Sequence, residues 1–395
     1  MINEKNRRLG AKRSVIRELF EYGKARKAEI GDENVFDFSL GNPSVPSPVE
    51  VNEALVSLIE NESSVKLHGY TSAQGDASVR EAVARYINET YSESVTADCI
   101  YMSVGAAAAL CSSLGAVVSE GEEVIVLAPY FPEYKVFIEN AGGVVREVMC
   151  DADMQPDICA IRSAINEKTA AIIINSPNNP TGAVYGEDKI NALANLLVES
   201  EEKYGKDIYL ISDEPYRELV YDGAVVPYVT KYYHNTLVCY SFSKSLSIPG
   251  ERIGYVLVSP RCRDFTSVYQ AVCGAGRALG YVCAPSLLQR LIPYCLGKTS
   301  DIEAYDKNRR MLTEALSDYG FEVINAAGAF YLFIKSPSKD ATEFCERAKA
   351  MDILIVPSDD FGIGGYARLA YCVTNEQIKR ALPAFKALAE SYEEK

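Results

Sequence analysis

One lysine of this sequence stands in a setting that changes what a lysine can do. In the stretch SFSKSLSIPGERIG, residues 241–254, Lys244 follows two small hydroxyl residues, Ser241 and Ser243, and precedes Arg252 across a Pro-Gly pair. Burial and neighbouring cations both favour the neutral amine, so such a lysine can attack an aldehyde as a nucleophile. The two hydroxyls and Arg252 would hold a doubly charged phosphate through charge-assisted hydrogen bonds. The stretch therefore reads as a site for an aldehyde that carries a phosphate, although a strand end followed by a polar loop with a solvated lysine has the same wording.

Pyridoxal phosphate is such an aldehyde. Position by position, residues 241–254 resemble the lysine signature of class I aminotransferases, within the fold type I pyridoxal-phosphate enzymes: small, apolar, small, Lys, two free, small, apolar, free, small, free, Arg, apolar, Gly. The resemblance is nearest to aspartate aminotransferase-like members. It extends over essentially the whole chain and rests on several separated motifs.

Asp213 closes the apolar run IYLISD, where an unpaired carboxylate is costly to bury, which favours a functional role. The resemblance implies that it pairs with the pyridine nitrogen of the cofactor, and that Tyr216 and Asn179 share the phenolic oxygen. Asn179 opens the turn-forming Asn-Pro-Thr-Gly of SPNNPTG, which a bland tight turn also explains. In GAAAALCSSLGAVV a glycine opens an Ala-rich helix, so the N–H groups of Ala106 and Ala107 are candidates for a phosphate cradle, or for a simple cap. In PYFPEY, Tyr130, Phe131 and Tyr134 are available to stack on a flat ring, with core packing as the other reading; by resemblance Phe131 is the first candidate and Tyr130 the second. Arg368, in GYARLAYC, sits between apolar neighbours and needs an anionic partner. By resemblance that partner is the α-carboxylate of the substrate, which also draws on the loop containing Gly41 and Asn42. Tyr70, in the pattern Tyr-x-x-x-x-Gly with Gly75, would by the same resemblance reach the cofactor phosphate of a neighbouring subunit, implying a homodimer with shared active sites; from the residues alone it could equally be a surface tyrosine. Arg277 and Tyr281 fall in a segment where relatives bring substrate-binding or partner residues, and Arg277 reads equally well as a structural cation.

Seven short apolar runs position these groups: CIYMSV, EVIVLA, GVVREV, AAIIIN, IYLISD, LVCYSF and IGYVLV, most followed by an amphipathic segment. Continuous Val/Ile-rich runs alternating with helices predict an α/β fold with a largely parallel sheet covered by helices on both faces. Ligands of such sheets bind beyond the carboxyl ends of the strands, which is where the candidate motifs fall. The spacing of Val15, Ile16, Leu19, Phe20 and Tyr22 predicts an amphipathic helix over 14–25. The resemblance divides the chain into a large cofactor-binding domain, 46–292, and a smaller α+β domain from 1–45 with 293–395, including an alternating strand in NAAGAFYLFI. The last residues, 390–395, read as a solvated tail.

The chain has 395 residues, a formal charge of −14 and a pI near 4.9, which argues against a nucleic-acid surface. A cofactor-sensing regulator with an added DNA-binding domain is disfavoured by the same acidity and by the absence of room before residue 40. Eleven cysteines without a CxxC pair, a polar start and no apolar run near ~20 residues predict a cytoplasmic protein with reduced thiols and no membrane span. Only two histidines, His68 and His234, leave little for a histidine-rich metal site, and no metal is expected.

The expected activity is amino transfer from an amino acid to a 2-oxo acid by ping-pong kinetics, with Lys244 as the base at Cα and acidic donors, then aromatic ones, in view. A C–S β-lyase, or another amino-acid lyase on the same fold, is the alternative, because the cofactor motifs do not choose which Cα bond breaks.

Overall fold

A computed structural model describes residues 2–11 and 14–393. The seven apolar runs become one seven-stranded sheet, in the order Ile100–Ser103, Gly254–Val258, Thr236–Ser241, Tyr209–Asp213, Thr169–Asn175, Glu123–Ala128 and Val144–Met149. Six strands run in one direction, five of them side by side; Gly254–Val258 is antiparallel to both of its neighbours. Six of the strands are buried on both sides, as their apolar runs require, while the edge strand Val144–Met149, broken by Arg146 and Glu147, is mostly exposed. Along one strand Val124 and Val126 join a core shared with the helix Gly105–Val117, while Ile125 and Leu127 join another shared with the helix Glu187–Tyr204. Each such side chain contributes on the order of 1.5–3 kcal/mol by leaving water.

The register decides which groups share an edge. Asn175 lies opposite Asp213, Asp213 opposite Cys239, and Ser241 opposite Gly254, which in turn faces Ser103. The carboxyl ends of the parallel strands and the amino end of the antiparallel one therefore meet on one side.

A second, four-stranded antiparallel sheet, in the order Val356–Pro357, Tyr366–Ala370, Tyr331–Lys335 and Val323–Ile324, packs with the helices Ile302–Asp318 and Asn375–Glu393. The first four residues of Tyr331–Lys335 are all buried, so the alternation expected there is absent: helices and the cavity wall cover both faces. The amino-terminal stretch joins this part of the molecule, since Phe36–Asp37 pairs parallel with Ile353–Leu354. The helix expected over 14–25 spans Val15–Ile30, capped by Ser14, and its Leu19 packs with Phe333 and Val356. The helix Asn375–Glu393 runs through most of the expected tail, carried by its buried Ile378, Ala381, Phe385 and Leu388, and residues 394–395 lie outside the described residues. No helix among the described residues is long and apolar enough to cross a membrane.

Candidate active site

Where the strand ends meet the smaller sheet, a cavity of about 270 Å³ opens, lined by Gly41, Ala106, Ala107, Phe131, Asn179, Asp213, Tyr216, Ser241, Ser243, Lys244, Arg252 and Arg368. Twelve positions singled out from sequence thus converge on one space. Lys244 lies in the short helix Phe242–Ser245, begun by Ser241, whose hydroxyl accepts from the Ser243 N–H. Its ammonium donates to the Gly41 carbonyl at 2.7 Å and sits 5.3 Å from the centre of the Phe330 ring. Burial, with smaller pushes from Arg252 and Arg368, brings its pKa down to about 8. Gly41 thus presents its carbonyl to the lysine.

Asp213 ends its strand inside the protein. Its Oδ2 accepts a 2.5 Å hydrogen bond from the Tyr134 hydroxyl, and its Oδ1 is buried with no partner among the described residues. Burial pushes its pKa up to about 7. Asn175, on the neighbouring strand, donates to the Asp213 carbonyl at 2.8 Å and accepts from the Asn179 N–H at 2.7 Å, fixing the turn against the strand.

At the opposite wall the 13-residue helix Gly105–Val117 begins without a side-chain cap, leaving its first N–H groups for a ligand. Gly105 has φ +76°, and a Cβ there would come within 2.6 Å of the Arg252 guanidinium, so glycine is what lets the arginine lie over the helix start. Arg252 donates to the Ser243 hydroxyl at 3.3 Å, and Ser243 and Ser241 share a 2.8 Å hydrogen bond. One guanidinium, two hydroxyls and a bare helix start form an anion cradle.

Arg368, 2 % exposed, comes from the small sheet. It donates to the Ser39 carbonyl at 2.6 Å and to Oδ1 of Asn179 at 3.0 Å; its Nε has no partner and no carboxylate pairs with it among the described residues. Its ring neighbours are Tyr331 and Phe361, with the guanidinium 4.7 and 5.2 Å from their centres. A buried cation without a counter-ion is costly, so the site is built for an anion that arrives.

Pyridoxal phosphate fits this set. Lys244, Arg252 and Arg368 against the single carboxylate of Asp213 leave the lining positive, matching a phosphate and a substrate carboxylate. The unpartnered Oδ1 matches a ring N–H, and Phe131, on the cavity wall, presents an aromatic face.

Five positions considered from sequence stay outside this cavity. Tyr130 is buried, donating its hydroxyl to Glu147, which leaves Phe131 as the aromatic wall. Asn42 and Arg277 are exposed, and Tyr281 shares a 3.2 Å hydrogen bond with Tyr101, so within one chain none of the three shapes the pocket. Tyr70 is 92 % exposed, and only a second chain could put it in a site. Conversely, Ile16, Leu40, Asn175 and Tyr331 line the cavity though none was singled out for it, and Tyr134, considered for stacking, instead reaches Asp213 with its hydroxyl. Asn175 was discoverable as the polar end of an apolar run one strand from Asp213.

Residues 33–385 match the family model described as aminotransferase class I and II. Over 354 residues the chain is 32 % identical to a probable aspartate/prephenate aminotransferase of Thermus aquaticus, covering 87 % of this chain and 89 % of that one. Among solved structures, an amino transferase from Eubacterium rectale superposes with a TM-score of 0.97 at 52 % identity, covering 99 % of each chain. An aspartate aminotransferase from Thermus thermophilus, with maleate, gives 0.86 at 29 % identity over 97 % of this chain and 98 % of that one.

Proposed function

The chain belongs to the class I and II aminotransferases, which makes it a pyridoxal-phosphate enzyme, and we propose that it transfers the amino group of aspartate or glutamate to 2-oxoglutarate or a related 2-oxo acid in two alternating half-reactions. The observation that carries this reading is the meeting of Lys244, Asp213, Arg252 and Arg368 around one cavity. The relatives named for aspartate and prephenate support the choice of acidic donors.

When bound, pyridoxal phosphate supplies an aldehyde that condenses with amines and a protonated ring that withdraws electrons from the carbon where the proton leaves. The chain's own residues do the rest. Ser241, Ser243, Arg252 and the N–H groups of Ala106 and Ala107 hold the phosphate. Asp213, fixed by Tyr134, keeps the ring nitrogen protonated, and Asn179 and Tyr216 donate to the phenolic oxygen. Arg368 binds the α-carboxylate, which orients the donor and opposes its loss as carbon dioxide. Lys244, whose pKa burial brings down to about 8, would hold the cofactor through Nζ and, once free of it, would take the Cα proton there and give it up again.

The full exposure of Tyr70 supports a homodimer in which this tyrosine completes the neighbour's phosphate site. Eleven unpaired cysteines support a reducing, cytoplasmic setting.

The visible spectrum of the purified protein tests the reading. Glutamate is expected to remove the resting band and 2-oxoglutarate to restore it. A band untouched by glutamate and aspartate, with pyruvate and a thiol released from a cysteine conjugate, would instead assign the β-lyase reaction.

A further inference from the structure

The cavity contains one polar group whose position ties three functional residues together. Tyr331, 3 % exposed, leads the small-sheet strand Tyr331–Lys335 and lines the cavity. Its hydroxyl lies 2.9 Å from the hydroxyl of Tyr216, and the two rings meet edge to face with centres 5.7 Å apart. The face of the same ring carries the Arg368 guanidinium at 4.7 Å. Gly41, whose carbonyl holds Lys244, lies so close that a Cβ there would run into the Tyr331 hydroxyl.

We propose that Tyr331 is a positioning residue: its ring seats Arg368, and its hydroxyl donates to Tyr216 and aims the Tyr216 proton at the phenolic oxygen of the bound cofactor. The assignment rests on the pyridoxal-phosphate reading above. Its direction follows from counting protons. Tyr216 has one hydroxyl proton, and once that proton is given to a ligand oxygen, the bond to Tyr331 survives only if Tyr331 is the donor. A hydroxyl that accepts a hydrogen bond becomes a stronger donor in turn, so Tyr331 strengthens what Tyr216 gives. Because Tyr331 belongs to the small sheet and Tyr216 to the loop after the Asp213 strand, the contact links the carboxylate clamp to the cofactor wall.

The test is a visible-absorption titration of the cofactor-loaded protein and of Tyr331→Phe, Tyr216→Phe and the double variant, read without substrate. A hydrogen bond donated to an ionised oxygen favours its charged form, so removing the Tyr331 hydroxyl raises the pH midpoint, by about half a unit for a neutral hydrogen bond. Tyr216→Phe raises it further, and adding Tyr331→Phe to that background changes nothing more. Phenylalanine keeps the ring under Arg368, so thermal melting stays near wild type. An unmoved midpoint in Tyr331→Phe, or a shift that persists when Tyr216 is absent, overturns the assignment while leaving the functional reading intact. Wild-type protein that takes up no cofactor and shows no band would overturn that reading, and this inference with it.

Discussion

The hydroxyl of Tyr134 donates to Oδ2 of Asp213 at 2.5 Å, while Oδ1 of the same carboxylate is buried without a partner among the described residues. One oxygen is fixed by the tyrosine and the other is left bare. Removing the donor in Tyr134→Phe should push the Asp213 pKa, already raised to about 7, higher still, leaving less carboxylate at neutral pH. Pyridoxal phosphate should then bind about tenfold more weakly, the loss expected for one hydrogen bond to a charged group. The analogue with carbon in place of the ring nitrogen should bind the variant and the wild type alike. Equal weakening of both, measured by fluorescence titration, would reduce Tyr134 to a packing role.

The same burial makes the cofactor-free protein sensitive to pH. Asp213 has a folded-state pKa raised from 3.8 to about 7, so between these values the folded state keeps a proton that the unfolded state has lost. Stability from this group is fully present below pH ~4 and falls as pH rises towards ~7, by up to about 4 kcal/mol. Asp213→Asn, which cannot ionise, should therefore melt at a higher temperature than wild type at pH ~8, with the gain vanishing near pH ~4. Calorimetry of the two apoproteins checks this. A gain that is constant across pH would mean that Asp213 is ionised without penalty in the folded state.

The sheet was legible because burial on both faces writes unbroken apolar runs, as in six of the strands; the seventh, the exposed edge Val144–Met149, was marked by its valines alone. Site residues at strand ends, such as Asp213 and Ser241, followed from where ligands bind in such sheets. What escaped was set by contacts distant in sequence. Tyr331 meets Tyr216 across 115 positions and Arg368 meets Ser39 across 329, separations that no local pattern encodes. The antiparallel course of Gly254–Val258 was equally hidden, since its apolar run reads the same in either direction.

Lys244 should give uptake of the cofactor a pH dependence of its own. Only the neutral amine attacks an aldehyde, and burial brings the group down to about 8. The rate of covalent attachment to apoprotein, followed by stopped-flow absorption, should rise with pH through that value and then level. Borohydride treatment should fix the cofactor on the peptide containing Lys244 in wild type. In Lys244→Ala no peptide should carry it, although the phosphate cradle still binds the molecule reversibly. A fixed label elsewhere in the variant would move the nucleophile to another lysine.

Arg368 presents Nε unpartnered to the cavity, with its other nitrogens held by Ser39 and Asn179. Clamping a carboxylate needs the flat fork of the guanidinium as well as its charge, which an ammonium cannot reproduce. Arg368→Lys should therefore raise the KM for the amino donor roughly 10- to 100-fold, the cost of losing a charge-assisted hydrogen bond. Arg368→Ala should raise it further. Cofactor affinity should change little in either variant, because Arg368 makes its hydrogen bonds to Ser39 and Asn179 and none to Arg252, Ser241 or Ser243. The two substitutions separate clamp from scaffold. If the arginine only braced Asn179 and Ser39, both variants would lose cofactor and substrate together, and the melting temperature would fall in step. A KM that rises alone, with cofactor binding and melting preserved in Arg368→Lys, places the arginine on the substrate.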